Sequence, residues 1–155
     1  MTDYFVVPHS RVGPVQLGVA REESRAAMSG MPHTFCGAPG SQHGTDAWHN
    51  NAFQVSYAGD PPSVEYIELS AGGRFRALYK GTSVFESPSD ELLALVSRDA
   101  PYDGDDPELG YSYTFRFLDL SLWRPVMPES PDDPEGHKFA TIGIGIEGYY
   151  ARGSV

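Results

Sequence analysis

Residues 110–126, GYSYTFRFLDLSLWRPV, and residues 138–150, KFATIGIGIEGYY, are the stretches whose pattern decides the fold. In the first, Tyr111, Tyr113, Phe115 and Phe117 alternate with Ser112, Thr114 and Arg116, the period of two that marks a half-buried strand. After Phe117 the phase slips by one, and Leu118, Leu120 and Leu122 carry it on. Such a slip would turn the apolar set to the other face, so the pattern predicts a β-bulge near Phe117 and Leu118, or a strand buried on both faces there. In the second stretch Ile142, Ile144 and Ile146 alternate with Gly143, Gly145 and Glu147. Branched side chains on one face suit a pleated core. The two glycines leave the other face bare, which either makes room for the protein's own aromatic rings or opens a ligand groove.

Between these stretches, residues 124–138 carry Pro125, Pro128, Pro131 and Pro134 together with Glu129, Asp132, Asp133 and Glu135. Proline at that density excludes helix and ladder, so an exposed acidic loop is expected. A second acidic loop is expected over residues 99–109, with Asp103, Asp105, Asp106 and Glu108.

A chain of 155 residues is expected to form one domain, residues 1–155, whose core needs neither disulfide nor metal. It holds 11 Lys and Arg against 21 Asp and Glu, a formal charge of −10. That field opposes nucleic acid and anionic membrane and favours a basic protein partner, although acidity also serves solubility by itself. The single Cys36 excludes an internal disulfide and a cysteine-rich metal site. The opening MTDYFVVPHS has too short an apolar run for a signal peptide, and no run approaches the ~20 residues of a membrane helix. A soluble, cytoplasmic protein is expected.

Elsewhere the pattern predicts a first strand over residues 4–7 on a sheet edge, closed by Pro8, and a short helix over residues 21–28 stopped by Gly30. Residues 30–51, rich in Gly, Pro, His and Asn, are expected to form a long loop. Strands are expected over residues 53–57, 64–69, 74–80 and 82–85. A second helix is expected to start with Ser87 as cap and Pro88 in the first position, and to run to about Arg98. Its inward face is Leu92, Leu93, Leu95 and Val96. These elements give an α+β fold, a mostly antiparallel sheet with two helices on one face. The strand–helix–strands order recurs, as it would in a duplicated unit.

Few residues invite chemistry. His43, Asp46 and His49, with Cys36 nearby, are ligand types that zinc accepts, yet the loop offers no element to fix them. Nothing local would lower the Cys36 thiol for attack with His43 as base. The acids at 103–108 lack calcium-loop spacing. There is no nucleophile elbow, phosphate loop or dinucleotide fingerprint. The strand acids Glu65, Glu68, Asp119 and Glu147 are expected on the wet face of a half-exposed sheet. No cofactor, metal or catalytic residue is expected.

The run LGVAREESR, Leu17 to Arg25, resembles the helix entry of small bacterial domains that include the β-lactamase-inhibitor-protein-like fold, with Ala20 where those domains have a capping Thr and Ser24 where they have an apolar residue. Ser121–Pro125, SLWRP, with residues 139–150, is similar to uncharacterised small bacterial proteins, many actinobacterial. Some of these are regarded as immunity proteins of polymorphic toxin systems. The resemblance implies a non-enzymatic inhibitor that occludes a basic toxin site. Contact is then expected through Asp103, Asp105, Asp106 and Glu108, through Asp132, Asp133 and Glu135, and through Tyr149 and Tyr150 as aromatic anchors. The alternative is a small-molecule-binding or regulatory domain with a groove beside Gly143 and Gly145.

Overall fold

The phase slip after Phe117 is a turn. In the computed structural model, which describes residues 1–36 and 43–150, the stretch expected to be one bulged strand is a hairpin of Ser112–Phe115 and Leu120–Trp123. The strands pair antiparallel from Ser112↔Trp123 to Phe115↔Leu120, so Phe115 and Leu120 both face the core and Phe117 stands out at the tip. A reversal carries the alternation into the returning strand out of phase, and a pattern read along one line cannot tell this from a bulge. Asp119 closes the turn at φ 47°, a left-handed conformation that Asp tolerates better than most residues.

In chain order the described elements are β1 (Thr2–Val7), β2 (Arg11–Val12), β3 (Val15–Gln16), α1 (Arg21–Ala27), β4 (His33–Phe35), β5 (Thr45–Trp48), β6 (Phe53–Ala58), β7 (Ser63–Ser70), β8 (Phe75–Tyr79), β9 (Thr82–Ser83), α2 (Ser89–Ser97), β10 (Ser112–Phe115), β11 (Leu120–Trp123) and β12 (Thr141–Gly145). They form two sheets rather than one, ordered β3-β2-β1-β8-β9 and β10-β11-β12-β7-β6-β5-β4. Every pairing is antiparallel except β1 with β8. The class is α+β. Each half of the chain runs from the smaller sheet through a helix into the larger one, first by β1–β3, α1 and β4–β7, then by β8–β9, α2 and β10–β12.

The core is one apolar cluster. Phe53 and Val55 of β6, Val64, Ile67 and Leu69 of β7, Leu120 and Leu122 of β11, and Ile142 and Ile144 of β12 meet Val6, Val12 and Tyr79 from the smaller sheet. Leu92 and Val96 of α2 join it, as the helical spacing predicts, with Leu93 and Leu95 packed alongside. The spacing of Val64 to Ile67 breaks alternation because the β6–β7 register shifts between Ser56 and Tyr57.

Four further expectations change. β1 lies at the centre of its sheet, not at an edge, because β8 pairs along its other side. Residues 30–51 are not one loop: β4 and β5 extend the larger sheet, and all four residues of β5 are buried. Residues 37–42 of that segment lie outside the described residues. The residue capping α2 is Pro88, not Ser87, and the Ser89 amide is satisfied by the His137 carbonyl at 2.7 Å. α1 meets β3 of the smaller sheet and β7 of the larger one, instead of lying beside α2 on a single sheet face.

Candidate binding surface

Both acidic loops converge on one buried arginine. Arg124 follows β11, is 8% exposed and among the described residues has no carboxylate partner. Its Nε donates to the Gly110 carbonyl at 2.8 Å, and its Nη1 donates to the Gly136 carbonyl at 2.8 Å and to Ser89 Oγ at 2.9 Å. The guanidinium lies 5.5 Å from the Phe139 ring centre and 5.9 Å from that of Tyr113. Carbonyl dipoles and ring faces thus offset the desolvation of the charge. Gly110 ends the first acidic loop, Gly136 ends the second, and Ser89 opens α2, whose first turn exposes Asp90 and Glu91. One planar fork ties three acidic segments together.

Within the loops the expected contact acids divide into two groups. Arg116 donates to Asp103 through Nε and Nη2 at 3.0 and 2.9 Å, and to the Tyr150 carbonyl through Nη1 at 2.6 Å. The Asp103 carboxyl is held below its ordinary range, first by the Asp105 amide and then by Arg116. Asp106 accepts from the Glu108 amide and Thr114 Oγ1, and Glu108 accepts from Ser112 Oγ. Asp133 accepts the amides of Glu135 and Glu129, which lower its pKa. These acids shape the loops. The exposed carboxylates of Asp105, Asp132 and Glu135 are left to face solvent.

Beside the second loop lies a cleft of about 500 Å³ whose walls are Pro125, Val126, Pro134 and Ala140, with Glu135, His137 and Lys138 also lining it. Val126 in its wall is exposed, as are Trp123 and Met127 in the flanking chain. Apolar walls beside an acid and a lysine combine the apolar centre and polar edge of a protein interface. A second cleft, about 530 Å³, lies at Tyr4, Phe5, Pro14, Met28 and His49. Its histidine is occupied, with Nε2 lying 2.8 Å from the Tyr4 hydroxyl, and burial lowers its pKa.

Tyr149 and Tyr150 are half-buried and packed on the outer face of the larger sheet. The bare face of β12 accommodates the protein's own rings. A Cβ on Gly143 would fall 1.8 Å from the Tyr66 hydroxyl, and one on Gly145 would fall 2.4 Å from the Tyr149 ring. The Tyr66 and Tyr149 rings stack at 4.8 Å on this face. The hydroxyls of Tyr66, Tyr150 and Ser121 form a triangle with sides of 2.9, 2.8 and 3.3 Å. Burial raises Tyr66 well above its ordinary value and pushes Tyr150 up to about 12.

The strand acids are not simply a wet face. Asp119 sits in the β10–β11 turn, 2% exposed, and accepts the amides of Gly148 and Tyr150 while His9 Nε2 lies 2.9 Å away. Glu68 is half-buried, and desolvation raises its pKa. Alternation alone placed it among solvated acids, because the covering tyrosines come from β7 itself and from the far end of the chain.

The expected zinc-type residues are dispersed. His43 Nε2 donates to the Gly59 carbonyl, and His49 faces Tyr4. Asp46 is fully buried and accepts from Arg25, Thr34 and Tyr57 at 2.6–3.0 Å. Cys36 is exposed. Among the described residues no helix is long and apolar enough to cross a membrane. Compared with protein-family models, curated proteins and solved structures, the chain finds no match.

Proposed function

We propose that this protein is a non-enzymatic binding module for a basic protein partner, in the concrete form of a cytoplasmic immunity-type inhibitor that covers the partner's active site. The observation that carries the reading is the surface organised by Arg124. It ties together the segments that expose Asp105, Asp132 and Glu135 and, on α2, Asp90 and Glu91, and Glu135 lines a cleft whose walls also hold Val126, Pro125, Pro134 and Lys138. Exposed acids steer a basic partner inward at long range, and the aromatic and methionine side chains supply the short-range contact. The net charge of −10 gives the whole molecule the same sign as the patch.

The test is capture at low salt from the native lysate, elution in a salt gradient, and assay of the eluted protein with and without the chain. A single basic protein whose toxic activity falls to zero at one equivalent supports the reading. A captured set unchanged when Asp105, Asp132 and Glu135 become Asn or Gln overturns it.

A further inference from the structure

The outer face of the larger sheet carries a row of cross-strand neighbours in register, Thr114, Ser121, Gly143, Glu68 and Gln54 on β10, β11, β12, β7 and β6. Gly143 has no side chain, and the Tyr66 hydroxyl stands over its Cα. Neighbouring strands lie ~5 Å apart, so Ser121 flanks that hydroxyl on one side and Glu68 flanks it on the other. Among the described residues the Glu68 carboxylate receives no hydrogen bond and no ion pair, although Asp46 on the same sheet receives four hydrogen bonds.

The hydroxyl triangle fixes what can bind beside it. Three protons serve the three contacts among Tyr66, Tyr150 and Ser121, and one lone pair on each oxygen remains over. The ionised Glu68 offers acceptors alone. The site is therefore rich in acceptors and spends its hydroxyl donors internally, which matches a ligand made only of donors. Aromatic rings lie alongside, with Tyr66 stacked on Tyr149 and edge-on to Tyr150, and Trp123 two residues from Ser121 on the same face. A planar guanidinium donates in a fork to carboxylate and hydroxyl oxygens and packs on ring faces, whereas an ammonium is a compact, strongly hydrated charge.

We propose that Glu68, together with the hydroxyls of Tyr66, Tyr150 and Ser121, forms the receptor for one arginine side chain of the basic partner. This rests on the partner reading above and adds the residue that holds the complex once the acidic loops have brought it in. Trp123 shares the strand face of Ser121, and its carbonyl accepts the amide of Ala140, which lines the cleft. Steering and anchoring therefore fall to different residues.

The test has two arms. In the first, N-acetyl-arginine amide is titrated into the full chain at constant ionic strength while the ring signals of Tyr66 and Tyr150 are followed by NMR. A saturable shift is expected, weakened at least tenfold in Glu68→Gln, unchanged when Asp105, Asp132 and Glu135 are neutralised, and several-fold weaker with N-acetyl-lysine amide. No saturable shift, or an equal one in Glu68→Gln, overturns the receptor whether or not a partner exists. In the second arm Glu68→Gln is expected to raise the dissociation rate of the partner complex at least tenfold with the association rate unchanged. Loss of probe binding without any change in that dissociation rate overturns the partner's arginine as occupant and points to a free guanidino compound.

Discussion

Glu68 and Asp46 lie on opposite faces of one sheet in opposite settings. Burial alone would raise the Asp46 carboxyl, but the donors Arg25, Thr34 and Tyr57 outweigh it and hold the pKa below the usual range. Asp46 therefore stabilises the fold above the unfolded carboxyl pKa of about 4, and its contribution is lost as pH falls through the lower folded value. Asp46→Asn turns an amide NH₂ toward groups that all donate, and we expect it to cost about 2–4 kcal/mol at pH 7 in urea unfolding. The acid limb of its stability curve should also flatten. Glu68 has the reverse sign. Its folded pKa is raised by desolvation, so the folded chain binds its proton more tightly and stability declines as pH rises from about 4 through the folded value. Glu68→Gln should accordingly melt at a higher temperature than the parent at pH 7, and the two curves should meet below about pH 4. A lower melting temperature at pH 7 would mean that Glu68 has a stabilising partner in the free protein.

At the scale of elements, the loops depend on strand ends for their shape. The segments over 103–110 and 125–137 have no ladder of their own, and Arg124 supplies the tie between them. Arg124→Met keeps the apolar stem and leaves the Gly110 and Gly136 carbonyls without a donor. We expect a loss of about 3 kcal/mol and faster amide exchange confined to both loops and the start of α2. Arg124→Lys should recover only part of this, because an ammonium cannot reproduce the fork. The outer face of β12 makes a steric prediction. Gly145→Ala places a methyl inside the Tyr149 ring, so Tyr149 must leave its stack on Tyr66, which near-ultraviolet circular dichroism would register as loss of tyrosine signal.

Over the whole molecule, charge governs encounter. With a net charge of −10, association with a basic partner should slow steeply as salt rises from low ionic strength. Neutralising Asp105, Asp132 and Glu135 together should lower the low-salt association rate about tenfold and flatten that dependence. Stopped-flow mixing checks this, and equal rates at low salt would remove the loops from the encounter surface. Fold stability should change little, since these carboxylates are exposed.

Local period and composition in the sequence determined the strand-rich α+β class, the inward faces of β6, β12 and α2, and the exposed proline-rich loop. Each depends on neighbours a few residues apart, and burial selects apolar side chains at the spacing of the element. The sequence also left two uses open for the bare face of Gly143 and Gly145. Tertiary structure brings the protein's own rings there, because Tyr149 closes back onto Gly145 while Tyr66 reaches Gly143 from the neighbouring strand. Long-range pairing decided the rest. It turned the slip at Phe117 into a hairpin, placed β1 at the centre of a second sheet, and drew β5 out of an apparent loop because Asp46 finds Arg25 and Tyr57. It also set Glu68 beside three hydroxyls from β7, β11 and the C-terminal end of the described chain. Alternation says which face a residue takes, and only the fold says what else arrives there.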